Sequence, residues 1–342
     1  MTSRRDFVFF VGCALLPQAH AQPRRREVRV AGRRIRTIDV HAHCVIPEAE
    51  ALMKHKPARA YAVTWEERLK RMDEQGIDLQ ALSINPTWYA LERDLAAKVV
   101  QLQNEKLAEL CARHPERLVA FASVALQYPD LAARELEHAV KQLGLRGAAI
   151  GGSVEGAELS DPKFHPFWAK AEELGVLVFM HPQRTPDLQN RLRGNGGLDN
   201  TVGYPLETSL ALSHLIFEGT LDRFPGLKIC AAHGGGFLPS YANRSDAVCR
   251  TFPNRVGPLP KKNPTAYLRD GQLFFDTIVF TPEALRHLIA ETGPGQIVIG
   301  TDYPFPWTST EVDLVLNTPG LSDEQRIAIL GGTAARLLGI AS

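Results

Sequence analysis

The chain has 342 residues, 44% hydrophobic and 23% charged, which is enough apolar content for a full core and a length that fits one α/β barrel. Its formal net charge of +1 argues against nucleic acid as a partner, because such proteins carry a strongly basic face. No internal repeat or low-complexity tract divides it.

At the N-terminus, Ser3-Arg4-Arg5-Asp6-Phe7 has the form of a twin-arginine export motif. The apolar stretch Phe7 to Leu16 follows it, with small residues at Ala19-His20-Ala21 for cleavage. Residues 1–21 are therefore expected to be a signal peptide and the protein periplasmic or secreted; the alternative is an uncleaved arm on a cytoplasmic protein. The apolar stretch is too short to span a bilayer. Residues 22–34, which include Arg24, Arg25, Arg26, Arg29, Arg33 and Arg34, read as a solvated basic arm ahead of a single domain over 35–342. Four cysteines follow the signal, Cys44, Cys111, Cys230 and Cys249, and their scattered spacing gives neither a disulfide framework nor a zinc knuckle.

From Ile35 onward, short β-rich runs alternate with longer amphipathic stretches. The runs are Ile35 to Val40, Leu79 to Ile84, Leu118 to Val124, Gly147 to Ile150, Val176 to Met180, Lys228 to Ala232, Leu273 to Phe275 and Gln296 to Ile299. Between them, Trp65 to Gln75, Asp94 to Arg113, Asp130 to Leu143, Pro166 to Leu174, Leu206 to Glu218 and Pro282 to Thr292 place apolar residues at three and four spacing, as helices do. Gly76, Gly144 and Gly175 stand where helix C-caps belong. Alternating β and α implies a parallel sheet, and eight repeats predict closure into a (β/α)₈ barrel. An open doubly wound sheet is the alternative, although no GxGxxG follows the first strand.

Four short pieces each follow one of these runs: Asp39-Val40-His41-Ala42-His43, Met180-His181-Pro182, Ala232-His233-Gly234-Gly235-Gly236 and Gly300-Thr301-Asp302-Tyr303-Pro304. Residues two apart on a strand share a face, so His41 and His43 can grip one ion. A lone HxH is a weak signal. In a (β/α)₈ barrel, however, the C-terminal strand ends meet at one rim, and His41, His43, His181, His233 and Asp302 would come from strands one, five, six and eight. Imidazole nitrogens with a carboxylate oxygen suit Zn²⁺ or a similar divalent ion such as Mn²⁺.

Those motifs, together with Phe305-Pro306 and Arg244, resemble the amidohydrolase-related decarboxylases, most closely the aminocarboxymuconate-semialdehyde decarboxylase branch, over roughly Ile35 to Gly339. The resemblance implies a distorted (β/α)₈ barrel holding one divalent metal, usually zinc, through His41, His43, His181 and Asp302. His233 takes the place of the family's general acid/base, and Asp302 orients the water or the imidazole. Strand four, Gly147 to Ser153, has no lysine to carry a second metal. The activity implied is non-oxidative decarboxylation of a small unsaturated or aromatic carboxylic acid. A hydrolase or hydratase acting on a lactone, amide or enol acid, and a non-catalytic binding protein, are the alternatives.

The substrate carboxylate needs a cationic partner. Arg244 is one candidate, since its position in the resembling enzymes reaches a neighbouring subunit's site and implies a homodimer; a surface helix arginine is the plainer reading. Arg59 is a second candidate. Trp88, Tyr89, Phe305 and Trp307 are candidate walls for a flat substrate, or loop-packing aromatics. Asp39 is a candidate partner fixing an imidazole, and Asp276 a candidate rim residue.

Overall fold

The computed structural model describes residues 25–183, 188–258, 260–306 and 311–341. The proposed signal peptide and Trp307 lie outside these residues. The eight expected runs form eight strands: β1 Ile38–His43, β2 Leu79–Ser83, β3 Leu118–Ala120, β4 Gly147–Ile150, β5 Leu177–Met180, β6 Lys228–Ala231, β7 Leu273–Asp276 and β8 Ile297–Val298. β1 to β3 pair in order, as do β4 to β8, and every one of these ladders is parallel. Single parallel bridges, Ala122 to Ala148 and Asp39 to Ile299, join the two groups. The barrel is therefore closed, which removes the open-sheet alternative.

Side-chain alternation divides the strands into two apolar layers. Ile38, Val40, Leu79, Leu177, Phe179, Cys230, Phe274 and Val298 pack inside the barrel, while Leu82, Val178, Met180, Ile229 and Phe275 pack outward against the helices. The C-terminal helix Thr333–Leu338 closes the N-terminal end of the barrel with Ala334, Ala335, Leu337 and Leu338. Its approach depends on Gly331, where a Cβ would stand 2.0 Å from the Arg36 carbonyl oxygen.

Two helices have the expected bounds; the others shift by one or two residues at an end, and Pro129–Lys141 is capped at Gln142, ahead of the expected Gly144. Trp65–Gln75 (α1) starts at a capping box in which Glu67 N–H donates to Thr64 Oγ1 at 3.1 Å and Thr64 N–H to Glu67 Oε2 at 2.8 Å, and it stops at Gly76 with φ +75°. Pro282–Thr292 likewise has its expected bounds. The basic arm differs from expectation. Arg29–Val30 and Arg33–Arg34 form an antiparallel hairpin with Val28 and Val30 buried, Arg25 and Arg34 paired with Asp78, and Arg26 forked onto Asp313. It is partly packed, because its valines find cover and Arg25 and Arg26 reach carboxylates from half-buried positions, while Arg29, Arg33 and Arg34 stay exposed as expected.

Candidate metal and catalytic centre

β1 is not a regular strand. Asp39 pairs with Gln80 and Ala42 with Leu82, so three steps on β1 face two on β2. This bulge resets the alternation, letting His41 and His43 point into the barrel above Ile38 and Val40. His41 packs against the interior Phe179, with ring centroids 4.9 Å apart. Elsewhere on the rim, His233 after β6 and Asp302 after β8 both adopt left-handed backbone, φ +56° and +57°. Non-glycine residues hold such conformations only where surrounding bonds enforce them. For Asp302 the enforcing bond is its own N–H to the His41 carbonyl, 2.8 Å. For His233 it is Asp276.

Asp276, at the end of β7, is fully buried and accepts four bonds. Oδ2 takes His41 Nδ1–H at 2.6 Å and His233 N–H at 3.0 Å; Oδ1 takes Gly234 N–H at 2.9 Å and Ile278 N–H at 3.1 Å. One carboxylate thus fixes the ring of His41 and the backbone of His233.

The five strand-end side chains converge. His41, His181, His233 and Asp302 each offer a ligand atom within 4.8 Å of one another. His43 joins them, its Nε2 2.9 Å from His41 Nε2 and 3.0 Å from Asp302 Oδ1. His233 Nε2 stands farther off, 3.9 Å from Asp302 Oδ2. Three of the imidazoles have their Nδ1 committed elsewhere: His41 to Asp276, His43 to Ser83 Oγ at 3.0 Å and His181 to the Pro182 carbonyl at 2.8 Å. Each therefore turns Nε2 toward the cluster, the arrangement that orients metal-binding histidines. These buried nitrogens with one carboxylate oxygen fit a divalent cation.

The protein's own charges are unevenly shared among these groups. Burial disfavours a charged His41, yet Asp302 and Asp276 outweigh it and raise its pKa to about 10. Burial lowers His43 to about 4 and puts His181 well below its usual range. Burial would raise Asp302, but the neighbouring imidazoles, His41 foremost, hold it well below the ordinary carboxylate range.

A second buried network supports the first. Arg68, on α1 and 2% exposed, donates Nη1–H to Gln80 Oε1 at 3.0 Å and Nη2–H to the His43 carbonyl, and its guanidinium lies 4.5 Å from the centre of the Tyr303 ring. Gln80 Nε2–H donates to Asp39 Oδ2 at 2.8 Å, while Asp39 also accepts His41 N–H and both N–H and Oγ1–H of Thr301. Asp39 is therefore a tie between β1 and the segment carrying Asp302. Arg68→Met should weaken divalent-cation affinity by roughly 10-fold, with Arg68→Lys intermediate, since outer partners of metal ligands have effects of about that size. Competition with a chromophoric chelator measures it, and an unchanged affinity would remove Arg68 from the support of the site.

Of the substrate-binding candidates, Phe305 lies beside the cluster, its ring 6.1 Å from that of His43. Trp88 corrects its expectation as a wall: it is fully buried, donates Nε1–H to the Val124 carbonyl at 2.9 Å and packs edge-on against Tyr89. It anchors loops beneath the rim because its indole finds both apolar cover and an acceptor there. Arg244 is exposed on Leu238–Thr251 (α6), and Arg59 is exposed on the short 3₁₀ turn Arg59–Tyr61.

Two phenols escaped the sequence reading. Tyr61 packs edge-on against Phe305 at 5.7 Å, and burial above all, with the nearby Asp302 carboxylate, pushes its pKa upward, so it remains a neutral donor. The Tyr204 ring, at the start of Tyr204–Phe217 (α5), lies parallel to that of His233 with centroids 6.5 Å apart. Neither stands in a strand-end motif, so spacing gave no signal.

The model of the family described as Amidohydrolase matches residues 38–340. The chain belongs to the amidohydrolase family. Over 283 residues it is 31% identical to the 2-amino-3-carboxymuconate-6-semialdehyde decarboxylase of Dictyostelium discoideum, covering 80% of this chain and 76% of that one. Among solved structures, the 5-carboxyvanillate decarboxylase of Sphingomonas paucimobilis superposes with a TM-score of 0.82 at 27% identity, over 90% of this chain and all of the other. A dihydroxybenzoic acid decarboxylase from a Polaromonas species, with bound manganese and the inhibitor 2-nitroresorcinol, gives 0.78 at 27% identity, over 89% and 97%. The fold and the decarboxylase resemblance expected from the motifs both hold for this amidohydrolase.

Proposed function

We propose that this amidohydrolase is a metal-dependent, non-oxidative decarboxylase of a small aromatic or unsaturated carboxylic acid, with His41, His43, His181 and Asp302 holding one divalent cation and His233 acting as the acid/base. The carrying observation is the cluster itself: three imidazoles tied through Nδ1, one carboxylate, and a fourth imidazole set back at 3.9 Å from that carboxylate. The decarboxylase relatives, one of them with manganese, support the reading. Zn²⁺ is the expected ion, with Mn²⁺ the competitor.

A bound divalent cation would polarise a substrate oxygen and acidify water in this site. The rest falls to the protein. Tyr61 and Phe305 wall the mouth and orient the flat acid. His233 delivers a proton from Nε2 to the carbon bearing the carboxylate. That carbon–carbon bond then breaks with its electron pair returning to the unsaturated system, and CO₂ departs. The balance is one proton for one CO₂, with no electron acceptor. Asp302, held ionised by the neighbouring imidazoles, faces His233 Nε2 from 3.9 Å and orients the ring toward the cluster.

Because Asp302 and Asp276 hold a proton on His41 up to about pH 10, a cation taking its Nε2 must displace that proton. Binding at pH 8 should therefore release about one proton per chain, and affinity should fall about tenfold for each unit of pH lowered through the neutral range. A pH-indicator titration checks this; uptake or no release would contradict the ligand assignment.

We extend the proposal to a homodimer in which Arg244 reaches the neighbouring subunit's site; its exposure on α6 is consistent with that role. The twin-arginine motif supports export, with removal of residues 1–21 ahead of the barrel. Among the described residues no helix is long and apolar enough to cross a membrane. The reading is tested by incubating metal-loaded protein with hydroxybenzoates and muconate-like acids. Loss of CO₂ is expected, and products that have instead gained water would point to hydrolysis or hydration.

A further inference from the structure

His233 faces the Asp302 cluster with one edge and lines a separate cavity of about 430 Å³ with another part of its surface. The cavity runs between α5, the turn after β6, the segment after β7, and Pro282–Thr292 (α7). Its inner wall is apolar: Tyr204, Pro205, Ile278, Val279 and Leu288 line it, with Ile278 and Leu288 buried. Its polar lining residues, Asn200, Thr201, Ser240 and His287, are exposed, and Ser240 and His287 satisfy each other at 3.1 Å. No Asp, Glu, Lys or Arg is among the described residues that line it.

Two physical limits follow. A second carboxylate entering this space would lose water and find no Lys or Arg among the described lining residues to pair with, a cost that packing against the apolar wall would not offset. An apolar group would instead gain by burial, and a space of ~150 Å³ already accepts a benzene ring, so about 430 Å³ leaves room beyond a single ring.

Resting on the decarboxylase reading above, we propose that this cavity is a side pocket for an uncharged apolar substituent, alkyl or aryl, carried by the acid. The substrate class is then a monocarboxylic aromatic or unsaturated acid with an apolar tail, and not a dicarboxylic acid. His233 stands at the junction, so the carbon it protonates lies at the cluster while the tail passes Tyr204 toward α7.

Phenols bearing chains from methyl to butyl represent the decarboxylated product and carry no group to react, so their binding to the metal-loaded enzyme reads the cavity without turnover. Calorimetry should show affinity rising about fourfold for each added methylene, the usual increment for a buried CH₂. Ala284→Phe, which fills the cavity from α7, should flatten the series while leaving the affinity for phenol unchanged; Val279→Phe serves if that variant does not fold. A flat series in the wild-type enzyme overturns the proposal. So does tighter binding of a phenol carrying a carboxylate on its chain, or a crystal structure of the holoenzyme in which a second copy's side chain fills the space. Absence of CO₂ release from every acid, with the phenol series intact, counts against the decarboxylase reading and leaves the pocket standing.

Discussion

A His233→Ala enzyme should keep its divalent cation and lose kcat by about 10²–10⁴-fold, the usual contribution of a positioned acid/base. The reason is geometric. Three imidazoles reach the cluster with Nδ1 tied to Asp276, Ser83 and the Pro182 carbonyl, whereas His233 is held by its backbone and stands 3.9 Å from Asp302. Removing it takes away a proton carrier and spares the proposed ligands. Elemental analysis beside single-turnover kinetics separates the two effects. Loss of the cation from this variant would make His233 a ligand, and normal turnover would remove its role altogether.

Asp276→Asn should be nearly as damaging, through a different route. Two carboxylate oxygens now receive four N–H donors in a fully buried position. An amide turns one of those oxygens into an NH₂, which faces two donors it cannot accept and leaves them unpaired. If the NH₂ replaces Oδ2, His41 loses the bond that fixes its tautomer and His233 loses an anchor of its left-handed backbone; if it replaces Oδ1, Gly234 and Ile278 lose theirs. Cation affinity should fall by roughly 10- to 100-fold, as for other partners of metal-binding histidines, and kcat should remain depressed even at saturating metal because the turn carrying His233 is misplaced. Chelator competition and kinetics at high metal measure the two parts. Full recovery of kcat by added metal would show that Asp276 serves His41 alone.

The barrel was legible because its signals are local. Alternating apolar runs, the Thr64–Glu67 capping box and glycines past helix ends act within a few residues, so the ends of β4, α1 and α7 fall where the sequence places them. The strand-end histidines and Asp302 were legible for a related reason: a closed barrel brings the C-terminal ends of its strands together whatever their separation in sequence. How they meet was less visible. Simple alternation puts His41 and His43 on one face, but it also puts Val40 on the other, and only the bulge between Asp39 and Ala42 lets Ile38, Val40, His41 and His43 all point inward. The bonds of Asp276 and Arg68 are long-range and have no pattern along the chain, so a rim carboxylate and an ordinary helix arginine gave little notice of what they join. Trp88 shows the converse, since an aromatic on a rim loop has the same sequence signature whether it faces substrate or, as here, the Val124 carbonyl.

The most direct test is a metal titration of chelator-stripped protein, with CO₂ release followed from an acid that the loaded enzyme turns over. Activity should vanish on stripping, rise in proportion to added Zn²⁺ or Mn²⁺ up to one equivalent per chain, and then stay level. Activity that survives complete removal of the cation, or that needs a second equivalent, would contradict a single-cation decarboxylase built on His41, His43, His181 and Asp302.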